Sequence, residues 1–177
     1  MNEFDPPKAP FQLDRLLEAL DRHGIDFVVI GGTAGLAHGS AYPTFDLDIA
    51  YARDEANLKR LVNALQDLRV TLRGALSDLP FQLDAQTLAN GGNFTFESEL
   101  GPFDVLADVA GVRSYEELRR DAEVEIIEGV PVRVASIDHL IAMKRAANRP
   151  KDKLMVEEYI VLADEQKKLT KEKKEKG

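Results

Sequence analysis

Ile25–Tyr51 reads IDFVVIGGTAGLAHGSAYPTFDLDIAY: an apolar β-branched run, a glycine pair, a short helical piece, and a run in which acidic and apolar residues alternate. The run from Ile25 to Ile30 has strand composition, and Gly31-Gly32 marks a tight turn into a helix that reaches about His38. In Phe45–Tyr51, Asp46 and Asp48 alternate with Phe45, Leu47 and Ile49, the period of a half-buried strand. Both carboxylates therefore face one side. Backbone amides freed at Gly31 and Gly32, at a helix start, would form an anion cradle suited to a triphosphate, although such a turn also serves wherever a strand meets a helix tightly. Two carboxylates one pleat apart repel, and a divalent cation relieves that repulsion, whereas an isolated pair is more often a polar strand face.

Upstream, Leu13, Leu16, Leu17 and Leu20 fall at helical spacing and Gly24 follows as a left-handed C-terminal residue. Downstream, Asp54 caps a predicted helix carrying Leu58, Leu61, Val62 and Leu65, and Val70–Leu72 returns as a strand. Between Gly74 and Gly92 only one helical turn, Asp84 to Ala89, is predicted. Phe94–Phe96 and Phe103–Val109 form a hairpin about Leu100-Gly101-Pro102, with Asp104 inside its second strand. Ser114 opens a capping box with Glu117, and Glu125–Ile127 pairs with Val130–Val134 across Glu128-Gly129. Ser136 caps the next helix, which stops at Pro150, and a last helix runs from about Asp152 to Ala163. Several strands are joined by hairpins too short for parallel crossovers, so the expected fold is α+β (α/β-like), a mixed sheet flanked by helices. The predicted division is a core over 1–135, a helical segment over 136–166 packed on it, and a charged tail over 167–177, read as a frayed helix end or disorder.

The 177 residues are 44% hydrophobic and 31% charged, enough for one packed core. Without cysteine, disulfides and thiolate metal sites are excluded, and with three histidines any metal is expected to be hard and oxygen-bound. The net charge is −8; the last eleven residues hold six lysines and two glutamates, leaving the rest of the chain at −12. Such a body does not bind nucleic acid through bulk charge, though a local basic patch would suffice for RNA. The acidic, proline-rich start MNEFDPPKAP and the lack of any long apolar run predict a cytoplasmic protein without membrane partners.

Gly31-Gly32 followed by Asp46-Leu47-Asp48 resembles the signature of the DNA polymerase β-like nucleotidyltransferase superfamily. The stretch GGTAGLAHGSAYPTFDLD is similar to its small bacterial branch, which includes AbiEii-type nucleotidyltransferase toxins, and VRVASIDHLIAMKRAANRPKDK resembles the same branch in Lys144, Arg149 and Asp152. The resemblance covers about residues 25–50, 103–108 and 132–162. It implies metal-dependent transfer of a nucleoside monophosphate from an NTP, ATP among them, to a hydroxyl acceptor, tRNA or another RNA or a small molecule, by in-line attack at the α-phosphorus with loss of pyrophosphate. Asp46, Asp48 and Asp104 would be the catalytic, metal-holding carboxylates for Mg²⁺ or Mn²⁺, with Asp108 as the fallback for the third. Gly31, Gly32, Thr33, Thr44, Lys144 and Arg149 would bind the nucleotide. Asp152 caps the last helix or pairs with Arg149. A toxin role would bring an antitoxin protein as partner.

One departure stands out. Many relatives carry an arginine where this chain has Tyr42, so one implied phosphate contact is missing or comes from elsewhere. Tyr42 is also the argument for the alternative, a catalytically degenerate nucleotide-binding or partner-binding module of the same fold. His38 reads first as a helix-packing residue and second as a hydrogen-bond donor near phosphate. Phe94, Phe96 and Phe103 read as core.

Overall fold

The computed structural model describes residues 10–75 and 81–176; the expectation drawn from the N-terminal stretch falls mainly on residues 1–9, outside that range. The elements are α1 (Leu13–Arg22), β1 (Phe27–Ile30), α2 (Gly31–Ala37), β2 (Leu47–Tyr51), α3 (Glu55–Asp67), β3 (Thr71–Leu72), α4 (Ala85–Ala89), β4 (Asn93–Ser98), β5 (Gly101–Leu106), α5 (Tyr115–Asp121), β6 (Glu123–Ile127), β7 (Val130–Val134), α6 (Ile137–Ala147) and α7 (Pro150–Glu175). Four helices begin as their capping residues require. The side chains of Asp54, Asp84, Ser114 and Ser136 accept from the backbone amides of Asn57, Thr87, Glu117 and His139.

The seven strands form one mixed sheet in the order β3-β4-β5-β2-β1-β7-β6. β1 runs antiparallel to β2 and parallel to β7, β2 runs parallel to β5, and the outer pairs β3–β4, β4–β5 and β6–β7 are antiparallel. This is the expected α+β arrangement, with β1 and β2 at its centre. Leu47, Ile49, Val28, Val29, Phe103 and Val105 are fully buried there, covered by Leu16, Leu17 and Leu20 of α1 and by Leu61 and Leu65 of α3. Phe96 and Phe103 lie in this core, as expected, and Phe94 stacks on Phe96 at 6.0 Å. The β6–β7 turn at Glu128-Gly129 has both residues at positive φ (50° and 80°), the geometry of a two-residue hairpin loop.

Several boundaries differ from expectation: β2 begins at Leu47 and not at Phe45, which leaves Asp46 outside the strand, and β5 ends at Leu106, short of Val109. α7 does not end near Ala163 but continues to Glu175, so residues 167–175 belong to the same helix. Lys173 and Lys174 in the last turn complement the helix dipole. The β4–β5 hairpin turns more tightly than predicted, with Gly101 already in β5 at φ 108°. A Cβ there would lie 2.9 Å from the Phe11 backbone, which docks against this turn through the Gln12 amide and the Leu100 carbonyl at 2.8 Å.

Candidate active site

Register brings the acidic residues together. Asp48 stands opposite Ile30 on antiparallel β1 and opposite Asp104 on parallel β5. Ile30 runs straight into Gly31, so the first residue of α2 lies beside the Asp48 carboxylate, and a Cβ on Gly31 would collide with it. At φ 65° Gly31 also takes a backbone geometry that L side chains resist. Gly32 is constrained likewise: a Cβ there would lie 2.6 Å from Thr44 Oγ1. The glycine pair lets the helix start crowd the acidic strand.

Asp46 lies just before β2, where the loop from α2 arrives. Thr44 fixes it, donating from Oγ1 to an Asp46 carboxylate oxygen at 2.9 Å. Thr33 does not reach the cleft with the other predicted nucleotide contacts. It is buried, and its hydroxyl donates to the Asp46 carbonyl at 3.3 Å. The same loop is tethered from α7, where Glu158 accepts from the Ser40 hydroxyl and the Ala41 amide, each at 2.7 Å. His38 takes its packing role: Nε2 donates to the Ala135 carbonyl at 2.7 Å, and Nδ1, left as acceptor, meets the Gln166 amide at 2.9 Å.

Oxygens of Asp46, Asp48 and Asp104 all lie within 4.8 Å of one another. Asp108 is exposed beyond the end of β5 and is not part of this group. The three carboxylates sit in a cleft of about 830 Å³, walled by Gly31, Gly32 and Thr44 on one side and by Lys144 and Arg149 on another. Burial first, then repulsion from Asp46 and Asp104, raises the Asp48 pKa to about 7, against the opposing pull of Lys144 and Arg73. Burial likewise raises Asp104 to about 6, although Arg73 pulls it down. Three clustered carboxylates that offer only oxygen donors fit a small divalent cation, whose positive charge would oppose both shifts.

Asp152 organises the cationic wall. It is 1% exposed, receives the Arg149 backbone amide at 3.1 Å as a helix cap, and pairs with Arg149 Nε at 2.8 Å and Lys144 Nζ at 3.2 Å. Burial would raise its pKa, but these bonds outweigh burial and hold it below the ordinary value. Both readings of Asp152, cap and ion-pair partner, therefore hold at once.

Arg73 and Glu97 were not among the expected site residues, yet both line the cleft. Arg73, just past the short edge strand β3, donates to Asp104 Oδ1 at 2.7 Å and to the Phe96 carbonyl at 3.0 Å. An arginine before a glycine turn in the least readable part of the chain carries no motif; only the pairing of β3 with β4 delivers it. Tyr42 also lines this cleft.

No protein-family model matches the chain, and no curated protein does so by sequence. Solved structures share its fold. The candidate nucleotidyltransferase TM1012 of Thermotoga maritima matches with TM-score 0.54 and 13% identity, over 84% of this chain and 89% of that one. The antibiotic-resistance factor ANT(2'')-Ia matches with TM-score 0.54 and 18% identity, over 88% of this chain and 82% of that one. ANT(2'')-Ia in complex with adenylyl-2''-tobramycin matches with TM-score 0.53 and 19% identity, over 85% of each chain. At these identities the likeness is one of fold, the nucleotidyltransferase fold.

Proposed function

We propose that the protein is a metal-dependent nucleotidyltransferase, passing a nucleoside monophosphate from an NTP to a hydroxyl acceptor. The observation that carries this reading is the convergence of Asp46, Asp48 and Asp104 within 4.8 Å, in a cleft also lined by Lys144 and Arg149. Asp46, Asp48 and Asp104 would hold Mg²⁺ or Mn²⁺, which when bound supplies charge neutralisation at the transferred phosphoryl group and activation of the acceptor hydroxyl. Gly31 and Gly32 present helix-start amides to the triphosphate, and Thr44 keeps Asp46 oriented. Lys144 and Arg149, fixed by Asp152, place positive charge where pyrophosphate would leave. Asp104, opposite Asp48 on the neighbouring strand, would take the acceptor's proton.

The adenylylated aminoglycoside bound to the fold neighbour favours a small-molecule acceptor, whereas the AbiEii-like motif spacing favours an RNA end and a toxin role with an antitoxin partner. In this reading residues 136–166 close the cleft of a core spanning 1–135. The degenerate-module alternative rests on Tyr42, and the presence of all three carboxylates weighs against it.

The test supplies each α-labelled NTP with Mg²⁺ to the full chain, offering total RNA in one series and an aminoglycoside panel in another. Label in an acceptor, lost in Asp48→Asn, is the expected result. Label in neither acceptor class together with NTP binding would favour the degenerate module.

A further inference from the structure

Arg73 is held by two acids at once, and only one of the two contacts is complete. Its Nη2 donates to Asp104 Oδ1 at 2.7 Å, while its Nε stands 3.4 Å from Glu97 Oε1 without hydrogen-bond geometry. Two atoms of the second pair, Arg73 Nε and Glu97 Oε2, are buried and have no hydrogen-bond partner. A buried donor and a buried acceptor left unpaired on adjacent side chains are costly, and a fork of Nε and Nη2 onto Glu97 would pair both as Nη2 leaves Asp104 and the Phe96 carbonyl.

We infer that Arg73 competes with the divalent cation for Asp104, and that Glu97 is the seat to which its guanidinium yields. The inference rests on the carboxylate site proposed above. A carboxylate that commits an oxygen to a guanidinium offers a cation less charge, and two cations on one carboxylate repel. As the cation gains Asp104, Arg73 turns onto Glu97, converting a 3.4 Å charge contact into a paired fork and removing both unpaired buried atoms. β4 places Glu97 for this: it pairs with Pro102 on β5, two positions from Asp104, so the guanidinium spans both acids without backbone movement. Arg73 is thus a positioning residue that sets metal affinity, and Glu97 acts on the metal only through it.

The experiment measures Mn²⁺ affinity by calorimetry, without nucleotide, for the full-length protein, Arg73→Met, Glu97→Gln and the double variant, with Asp48→Asn as the control that abolishes binding. Circular dichroism melts establish that each variant folds, and Arg73→Gln replaces Arg73→Met if the latter does not. The expected result is Mn²⁺ binding tightened about three- to tenfold in Arg73→Met and weakened in Glu97→Gln, with the glutamate's effect absent once Arg73 is gone. Unchanged or weaker binding in Arg73→Met, or an equal Glu97→Gln effect in both backgrounds, would overturn the inference while leaving the metal site standing. No Mn²⁺ binding by the unaltered protein would remove the metal site and this inference together.

Discussion

Asp48 and Asp104 lie directly opposite each other on the parallel strands β2 and β5, and both line the same cleft. Their proximity is fixed by backbone hydrogen bonding and not by side-chain choice, so the fold itself holds two repelling charges together.

This has a consequence for stability against pH. The folded-state pKa values of about 7 for Asp48 and about 6 for Asp104 lie above the ordinary carboxylate value. The folded chain therefore binds protons more tightly than the unfolded one, and the stability contributed by these groups is full below pH ~4 and lost as pH rises through 6 and 7. Melting followed in EDTA should show a decline between pH 5 and pH 8. Asp48→Asn should flatten that decline and stabilise the protein at pH 8 by on the order of 1–2 kcal/mol. A steeper decline in the variant would contradict the assignment.

Gly31→Ala should damage fold and site together. The new Cβ meets the Asp48 carboxylate, and the backbone at φ 65° resists an L side chain. A loss of about 1–3 kcal/mol is expected in denaturant titration, with weaker Mg²⁺ stabilisation because Asp48 is pushed from its place. Gly129→Ala, which meets nothing within 4 Å, is the control for the backbone cost alone, with φ 80°.

Removing Asp152 should separate triphosphate binding from metal binding. Asp152→Ala leaves Lys144 and Arg149 without their shared anchor and α7 without its cap, a cost of about 2–4 kcal/mol. NTP affinity should fall while Mn²⁺ affinity, measured without nucleotide, stays within about twofold. Equal loss of both would mean that Asp152 supports the acidic group instead.

Much of this site was legible in local pattern. The alternation in Phe45–Tyr51 singled out Asp46 and Asp48, although only Asp48 lies in β2 and Asp46 is held by the preceding loop through Thr44, and the glycine pair marked the crowded turn beside them. Asp104 was found for the same reason, lying in a strand whose apolar neighbours Phe103 and Val105 are buried. Arg73, Glu97 and Glu158 were not legible. Each reaches the cleft or its loop through a long-range pairing, β3 on β4 or α7 on the loop before β2, which no spacing in the chain encodes. Thr33 illustrates the converse: motif position suggested a ligand contact, but one helical turn carries its hydroxyl under the Asp46 backbone. The length of α7 was not legible because its last turns carry almost no apolar periodicity and mark no buried face.

The central claim is a metal-dependent triphosphate site built on Asp46, Asp48 and Asp104. Its most direct test is the melting temperature of the full-length protein with each of the four NTPs, with and without Mg²⁺, beside Asp48→Asn under the same conditions. The account predicts a rise that needs both NTP and Mg²⁺ and disappears in the variant. No rise with any NTP, or an equal rise in Asp48→Asn, would contradict it.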